Sequence, residues 1–378
     1  MKICKKCLQP DTRPSIYFSE DGVCGACIWE EEKKTINWKE REAELQDIAQ
    51  WAKKNTKRNY DCVIGVSGGK DSTFQAITAR DRLGLRCLLV NGEPDGITET
   101  GRYNIENLKK LGFDVISLRP NPQVMKKLVK RDFYKYLNPQ KITEYSLYSS
   151  AYIIADQFDI PLIIQGENAG LTLGVSLTGL GKDWNALKVN ESNTLGTGWK
   201  EYLEVDGISE KDLFFFHYDR ESLEKKGVKA IWLQYFLKEW SFVNNTEFAL
   251  KHGFKGHPSD FDLTSIGTFV PYAQIDSDLV QVNQMLKHIK FGFGHAMDHA
   301  CYFLREGRIT KEDAIELVRK YDGKCSDYYI KKFCDYIGVD VNEFWRVANS
   351  FRGSMWKNDQ DGNWHNAYWD NLELQQKA

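Results

Sequence analysis

The sequence lacks long apolar segments and an excess of either charge. No apolar run approaches the ~20 residues that a membrane span requires, and the opening MKICKKCLQP has no apolar stretch of the kind that precedes a signal cleavage site. Lys and Arg number 51 against 53 Asp and Glu, a formal net charge of −2, so no global positive field attracts polyanions. We therefore expect a cytoplasmic protein without membrane association, and we do not expect nucleic acid as a partner.

Disulfide-type cysteine patterning is also absent. The chain has nine cysteines, and an odd number without a signal peptide indicates reduced thiols. Five of them are scattered singly, at Cys62, Cys87, Cys301, Cys325 and Cys334. The remaining four are clustered at the start of the chain, which predicts a different use for them.

These four, Cys4, Cys7, Cys24 and Cys27, form two C-x2-C pairs within residues 1–29. Each pair places two thiolates on a tight turn, and two pairs supply the four ligands of a tetrahedral zinc. A closed four-cysteine site leaves no position for water or substrate. We therefore predict a zinc-binding module whose metal is structural and lies remote from any nucleotide; a redox dithiol in either pair alone is the alternative.

The rest of the chain changes from a charged helical segment to alternating strands and helices. Residues 30–56 carry apolar residues at helical spacing and predict a connecting helix. Over residues 57–288, short apolar runs such as CVIGV and CLLVN alternate with helical segments, which predicts an α/β fold with a parallel, doubly wound sheet. Residues 166–208 are rich in Gly, Thr, Ser and Asn and indicate a substrate loop, and residues 289–378 are predicted to be mostly helical.

One motif lies where the first predicted strand meets the following helix, in the segment VIGVSGGKDST. Its loop residues are Ser67, Gly68, Gly69, Lys70, Asp71 and Ser72. Glycines let backbone amides close around phosphate oxygens, and the helix N-terminus adds a partial positive charge. The spacing differs from that of a Walker A loop and of a dinucleotide-binding glycine motif. The motif predicts an anion site, with a plain Gly-Gly turn and an Asp-Ser cap as the alternative.

The loop sequence SGGKDS resembles the pyrophosphate loop of the N-type ATP pyrophosphatases, whose fold is adenine nucleotide alpha hydrolase-like. That family includes synthetases for GMP, NAD and asparagine, and tRNA thiolases. The resemblance implies that ATP is cleaved to AMP and pyrophosphate, with the loop residues holding the β- and γ-phosphates. It also implies catalytic roles for Lys70, Asp71 and Glu167, and a Mg²⁺ ion between the phosphates and acidic side chains, for which Asp71 and Glu167 are the candidates.

Two other predicted strand ends carry polar residues. Ligands of open α/β sheets gather at the carboxyl ends of strands. After LLV, the resemblance implies that Asn91 and Gly92 contact the adenosine. After PLIIQ come Gly166 and Glu167, and a carboxylate there suits Mg²⁺, which takes one or two carboxylates together with phosphate oxygens. A surface glutamate without such a role is the alternative for Glu167.

A resemblance to the N-acetyl sugar amidotransferases covers nearly the whole chain. It is carried by the opening C-x2-C-L-x-P-D-T-R-P, by G-V-C-x-x-C, SGGKDST and QGENAG, and by KFGFG with Asp298 downstream. That family includes the pseudaminic acid amidotransferase of flagellin glycan synthesis and its lipopolysaccharide O-antigen relatives. The resemblance implies that an acetamido group of a bacterial N-acetyl sugar becomes an acetamidino group. The amide oxygen is adenylated, and ammonia displaces it.

The segment KFGFGHAMDHA contains further candidate residues. On a helix, His295, Asp298 and His299 would share one face and could bind a metal or substrate. An ordered polar cluster packed beneath the active site is the alternative. Lys290 could bind a phosphate or a sugar carboxylate, although a single lysine is commonly solvated. The family carries Arg where this chain has His295, so an Arg-to-phosphate contact is not carried over.

The sequence contains no glutaminase signature. Position 2 is Lys, where a glutaminase of the N-terminal nucleophile type needs Cys, and Cys62 and Cys87 lie inside apolar strands rather than on a strand-to-helix elbow. We therefore expect a separate glutaminase subunit, or free ammonia, as the nitrogen source.

Two other functions remain open from the sequence. A tRNA thiolase also combines an SGGKDS loop with paired cysteines, but the balanced charge argues against an extended tRNA footprint. A zinc-ribbon adaptor that senses nucleotide without catalysis would bind ATP and form no AMP.

Overall fold

The computed structural model describes residues 1–175, 183–188 and 198–377. Two parts of the predicted substrate loop, residues 176–182 and 189–197, lie outside the described residues. Within the part of the chain that is described, no helix has the length and hydropathy to span a lipid bilayer.

Five parallel strands form the central sheet. They are β1 (Cys62–Val66), β2 (Cys87–Gly92), β3 (Asp114–Leu118), β4 (Leu162–Gln165) and β5 (Lys229–Trp232). The order across the sheet is β3-β2-β1-β4-β5, and every neighbouring pair is parallel. The predicted α/β fold with a parallel sheet is confirmed. Because the strand order reverses between β1 and β4, their carboxyl ends border the crevice where such sheets bind ligands.

Helices precede, connect and follow these strands. Up to β5 they are α1 (Gly25–Glu32), α2 (Trp38–Asn55), α3 (Lys70–Ile77), α4 (Glu99–Lys110), α5 (Pro122–Tyr136), α6 (Lys141–Phe158), α7 (Ala169–Thr172) and α8 (Arg220–Lys225). After β5 they are α9 (Phe242–Lys251), α10 (Gln281–Phe291), α11 (His295–Arg305), α12 (Lys311–Tyr321), α13 (Asp327–Ile337), α14 (Val341–Ser350) and α15 (Tyr368–Lys377). The C-terminal region also contains a hairpin that the sequence did not predict, β6 (Trp356–Asn358) with β7 (Trp364–Asn366). The mostly helical C-terminal region is confirmed.

Both faces of the sheet are covered, because successive residues of a strand point to opposite sides. Ile64 packs in a core with residues of α2, α3 and α4. Val63 packs on the other face with residues of α6 and α8. The unbroken apolar runs of the strands follow from this burial on two sides.

The segment predicted as one connecting helix is divided in two. The predicted segment begins inside α1, a helix that starts within the cysteine module, and continues in a second helix, α2. Asn37 caps α2, because its side chain accepts a hydrogen bond from the Glu40 amide. The apolar face of α2, including Leu45 and Ile48, is buried in the core beneath the sheet. Helix α2 is therefore part of the α/β core as well as a connection.

Part of the predicted substrate loop instead completes the sheet. Residues 183–188 run antiparallel to β5: the Ala186 amide donates to the Ala230 carbonyl at 2.9 Å, and the Trp232 amide donates to the Trp184 carbonyl at 2.9 Å. The Tyr152 hydroxyl of α6 donates to the Ala186 carbonyl at 2.5 Å. These contacts cover the edge of the sheet, which would otherwise present unpaired backbone groups.

The cysteine module and the C-terminal region share a core. Ile3 and Leu8 pack with Met297 of α11 and Leu372 of α15. The Tyr368 hydroxyl donates to the Leu8 carbonyl at 2.9 Å. The two ends of the chain therefore form one packed unit, which sets where α1 and α11 lie.

Candidate active site

The SGGKDS loop joins β1 to α3 with a conformation that requires glycine. Gly68 has φ +78°, and a Cβ atom there would lie 3.1 Å from Asn104 Cβ and 3.2 Å from Ile105 Cδ1. Gly69 is the N-cap of α3 and supplies no side-chain cap to the amides of the first turn. Such a helix start is able to cradle a phosphate.

Two charged side chains follow the glycines. Lys70 Nζ lies 2.5 Å from Asp71 Oδ2 and 4.2 Å from the centre of the Phe242 ring. The other oxygen of Asp71 accepts a hydrogen bond from Asn245 Nδ2 at 2.8 Å. Ser72 turns back, and its hydroxyl donates to the Gly69 carbonyl at 3.0 Å. Helix α9 thus orients the carboxylate, while Ser72 stabilises the first turn of α3.

Glu167 follows β4 and is half-buried beside this pair. Burial and the negative charge of Asp71 raise the pKa of Glu167, while Lys70 opposes that shift. Two carboxylates that destabilise each other's charge are a favourable place for a divalent cation, and one or two carboxylates suffice for Mg²⁺ when phosphate oxygens complete its shell. Asp71 and Glu167 therefore fit the predicted ion.

A cavity of about 320 Å³ opens at these strand ends. Its lining brings together four parts of the chain: the loop residues Ser67, Gly69, Lys70 and Asp71; Glu167; Trp29, Glu30 and Lys33 around the end of α1; and His295, His299, Tyr302 and Arg305 of α11. The segment 272–276 closes another side. Residues as far apart in the chain as Ala26 and Glu306 thus surround one space.

Helix α11 presents one polar face to the cavity, but not the face that the sequence predicted. His295 and His299 line the cavity, with ring centres 4.0 Å apart. Asp298 does not share that face. It accepts hydrogen bonds from Arg13 and from Lys287 Nζ, the latter at 2.6 Å, and its pKa falls to about 2 because these two cations outweigh the effect of burial. Asp298 therefore ties the cysteine module to α10 and α11.

The two histidines are neutral at physiological pH. Burial and the charge of Lys287 lower the pKa of His295 to about 3. Burial and the neighbouring His295 lower the pKa of His299 well below its usual value, and His299 Nδ1 lies 2.9 Å from the Thr268 hydroxyl. Among the described residues, the one cluster of three or more metal-ligating side chains is the cysteine site. The structure gives no support to a metal on the histidines.

Six predicted nucleotide-binding residues are not among those that line the cavity as the described residues form it: Gly68, Ser72, Asn91, Gly92, Gly166 and Lys290. Asn91 Nδ2 donates to the Val66 carbonyl at 2.9 Å and fixes the end of β1. Gly92 packs against Leu147 of α6, and a Cβ atom at Gly166 would lie 3.0 Å from both Gln75 and Trp240. Lys290 Nζ donates to the Tyr136 carbonyl at 2.5 Å, and burial lowers its pKa to about 8. Their ligand contacts stay predictions.

The four clustered cysteines converge on one point. Cys4 Sγ lies 3.9 Å from Cys27 Sγ, and Cys7 Sγ lies 3.7 Å from Cys24 Sγ. All four sulfur atoms are buried and lie within 4.8 Å of one another. Four sulfurs at the Zn–S distance of about 2.3 Å form a tetrahedron with edges of about 3.8 Å, so the residues fit zinc.

The end of the cysteine module lies beside the cavity, while the expectation that its metal is remote from the nucleotide stays a prediction. Cys27 lies in α1, and Trp29, two residues further along this helix, lines the cavity with Lys33 at its end. The phosphate loop and α1 therefore border the same space. The C-x2-C spacing predicts a metal site from local sequence, whereas the packing of α1 against the cavity depends on contacts that no local pattern reveals.

Sequence analysis also missed Phe242, Asn245, Tyr302 and Arg305. The first two lie on α9 and act on the loop from 170 or more residues away. For Tyr302 and Arg305 a signal existed. They extend the spacing of His295 and His299 along one helical face of HAMDHACYFLR.

The C-terminal part of this site matches a known family. Residues 259–371 match the family described as "LPS biosynthesis protein WbpG-like, C-terminal domain". Helix α11 lies inside the matched range. Among curated proteins, no relative matches the chain.

Solved structures give one comparison to report. The chain is similar to an NMN synthetase from Francisella tularensis, with 19% sequence identity, 60% of this chain and 100% of that chain covered, and a TM-score of 0.30. At this score the similarity adds no argument to the topology of the sheet itself.

Replacement of Cys24 by Ser tests the metal site. We expect one zinc per chain in the wild-type protein and almost none in the variant, with a much lower thermal midpoint because a structural zinc of this kind contributes ~10 kcal/mol or more. Metal analysis and thermal unfolding are the measurements. Cys325→Ser, at a half-buried cysteine outside the cluster, should keep its zinc. A wild-type protein purified without chelator and without zinc contradicts the assignment.

Alanine substitutions at Gly69 and Gly68 test phosphate binding and backbone conformation separately. Gly69 has ordinary backbone angles and a Cβ atom there would contact only Ser67 Oγ, at 3.2 Å, among the described residues. Gly69→Ala should therefore keep its thermal stability but bind ATP at least about tenfold more weakly, because a methyl group stands where phosphate oxygens approach. Gly68→Ala should lose about 1 kcal/mol or more of stability, because its φ is positive. Wild-type ATP affinity in Gly69→Ala contradicts the phosphate assignment.

The half-buried His295 makes a prediction for acid stability. Its folded pKa of about 3 lies below the unfolded value of about 6.5, so protonation favours the unfolded chain. The free energy of unfolding should fall as the pH drops below about 6.5, by up to ~1.4 kcal/mol per pH unit for this group. Urea unfolding at pH 7.5 and 5.5 should show a smaller loss in His295→Gln than in wild type. His365→Gln, at an exposed histidine, should keep the wild-type loss; equal losses in all three proteins refute the prediction.

Proposed function

We propose that this protein is an ATP-dependent, AMP-forming amidotransferase of the N-type ATP pyrophosphatase class, with the adenine nucleotide alpha hydrolase-like fold. It converts an acetamido group of a bacterial N-acetyl sugar to an acetamidino group for surface glycan synthesis, of flagellin glycan or lipopolysaccharide O-antigen. The observation that carries the proposal is the shared cavity. The SGGKDS loop forms one wall of it, and α11, from the region that matches a lipopolysaccharide biosynthesis family, forms another.

The chemistry explains why such a site needs ATP. An amide oxygen is a very poor leaving group, so ammonia does not displace it directly at neutral pH. Adenylation makes that oxygen part of a phosphate ester, which departs as AMP when ammonia attacks. Both steps require that phosphate charge be stabilised where it develops.

The chain's own residues fit these tasks. Lys70 lies at the start of α3, close to the amides that cradle phosphate, and its charge offsets the charge that develops on pyrophosphate. Asn245 and Lys70 each hold one oxygen of Asp71, so that carboxylate is oriented before any ligand arrives. With Asp71, Glu167 would hold the Mg²⁺ ion, which supplies charge neutralisation at the phosphates.

Ammonia is proposed to come from a separate glutaminase subunit. Cys62 and Cys87 are buried in neighbouring strands with their sulfurs 3.4 Å apart, and burial raises the pKa of Cys62 well above its usual value. Because both cysteines are buried, neither fits the nucleophile of a glutaminase. A partner that delivers neutral ammonia matters because most free ammonia at neutral pH is protonated and has no lone pair with which to attack.

The reaction itself is the test. With ATP, Mg²⁺, labelled ammonium and a panel of bacterial N-acetyl sugars, we expect AMP, pyrophosphate and a sugar lighter by the difference between an oxygen atom and an NH group, with the label retained. Mass spectrometry of the sugar and chromatography of the nucleotides are the measurements. ATP binding without AMP formation favours the adaptor, and sulfur transfer to RNA favours the thiolase.

Lys70→Ala, compared with the control Lys251→Ala, tests the role of Lys70 in the reaction. It should reduce AMP formation by about 10²-fold or more, because it removes a charge that acts on the leaving pyrophosphate. Lys251→Ala, at an exposed lysine at the end of α9, should keep the wild-type rate. Equal rates in the two variants contradict the role assigned to Lys70.

A further inference from the structure

The cavity contains three cationic side chains from the described residues, and two of them already have carboxylate partners. Lys33 Nζ lies 3.0 Å from Glu30 Oε1, and Lys70 Nζ lies 2.5 Å from Asp71 Oδ2. The third cation, Arg305, differs from both.

Arg305 has no ion pair with any carboxylate of the residues that the structure describes. Its Nη2 donates to the backbone carbonyl of Thr172 at 3.3 Å, a long hydrogen bond to a neutral group. The side chain is half-buried, so water compensates its charge only in part. A guanidinium in this position has most of its five donors available, in a planar arrangement that matches a carboxylate or a phosphate.

The surroundings hold Arg305 in place. Its guanidinium carbon lies 4.9 Å from the centre of the Tyr302 ring, one turn earlier on α11. A small second cavity lined by Arg305 is also lined by Cys24 and Ala26 of the cysteine module. Because the Tyr302 ring and the Thr172 carbonyl already restrain the side chain, less conformational entropy is lost when it binds an anion.

Arg305 also lies apart from the phosphate loop. The charge of Lys70 acts on His295 and His299, so the loop faces the first half of α11. Arg305 lies six residues beyond His299, roughly 9 Å further along the helix axis. Glu167, in the same cavity, interacts with the charges of both Lys70 and Arg305, so an anion at Arg305 would be a second one beside the phosphates held at Lys70.

We propose that Arg305 binds an oxyanion of the sugar acceptor, a carboxylate or a phosphate, and thereby selects anionic acceptors over neutral ones. The proposal rests on the amidotransferase function. It assigns the acceptor to the α11 side of the cavity and the nucleotide to the loop side. A half-buried guanidinium gains most from a charged, bidentate partner, and none of the described carboxylates forms an ion pair with Arg305.

Direct binding tests this assignment. The zinc-loaded full chain is saturated with a non-hydrolysable ATP analogue and Mg²⁺ and titrated calorimetrically with three probes: N-acetylneuraminate, UDP-N-acetylglucosamine and N-acetylglucosamine. We expect the wild type to bind at least one of the two anionic probes at least tenfold more tightly than the neutral sugar. Whether the sugar acid or the nucleotide sugar binds better identifies the oxyanion as carboxylate or phosphate.

Substitution of Arg305 is the second part of the binding experiment. Arg305→Gln should weaken the preferred anionic probe by about 10- to 100-fold, the usual loss of a charge-assisted contact, without changing the affinity for the ATP analogue. Arg308→Gln, at an exposed arginine three residues later, should bind as wild type does. Arg305→Lys keeps the charge but loses the planar pair of donors, so an intermediate affinity is expected. If Arg305→Gln does not fold, Arg305→Lys is measured in its place.

Three results overturn the proposal. They are equal binding of all three probes or of none, unchanged anionic-probe binding in Arg305→Gln, and a loss confined to the ATP analogue. If the wild type binds an anionic probe through Arg305 but forms no AMP from any acceptor, the amidotransfer reaction is refuted while the binding site stands.

Discussion

The shared core between the cysteine module and α11 is the constraint on which the site depends. Met297 and Cys301 of α11 are buried together with Cys7 and Cys24. Since side chains in such a core interdigitate closely, α1 and α11 cannot move independently of one another. Each helix sends a different set of side chains into the cavity, so the packing of the module also sets the width of the active site.

Ion pairs form a second connection between the cysteine module and α11. Asp298 of α11 pairs with Arg13 of the module and with Lys287 of α10. A buried carboxylate between two cations is costly to separate from either one. The motif D-T-R-P near the N-terminus thus has a physical use: it anchors the module to the helix that faces the nucleotide loop. Asp298 stabilises the arrangement, and the side chains one turn away on the same helix face the cavity.

What the sequence predicts well is local. The strand β1, the glycine turn and the start of α3 are adjacent in the chain, so hydrophobic pattern and glycine placement specify them together. The four cysteines are predicted by their spacing alone. Asn245, which orients Asp71 across 174 residues, has no local signal, because the contact depends on how α9 packs against α3. The shared face expected for His295, Asp298 and His299 failed for a similar reason. Residues at this spacing spread over part of the helix circumference, and tertiary partners such as Arg13 determine which of them face the cavity.

The location of Arg305 gives the cysteine module a role beyond folding. Burial opposes the charge on Arg305, yet the pKa of Arg305 is raised, because charge interactions with nearby cysteine sulfurs, Cys7 first, favour its charged form. If zinc is bound, its four thiolate ligands would leave the centre with a net negative charge, which would compensate the guanidinium in part. Glu167 lines the same cavity and interacts with the charge of Arg305, but none of the described carboxylates forms an ion pair with it. In the proposed arrangement a zinc centre would help to keep the Arg305 cation in its half-buried position, and would thereby link the cysteine module to the proposed recognition of an anionic acceptor by α11.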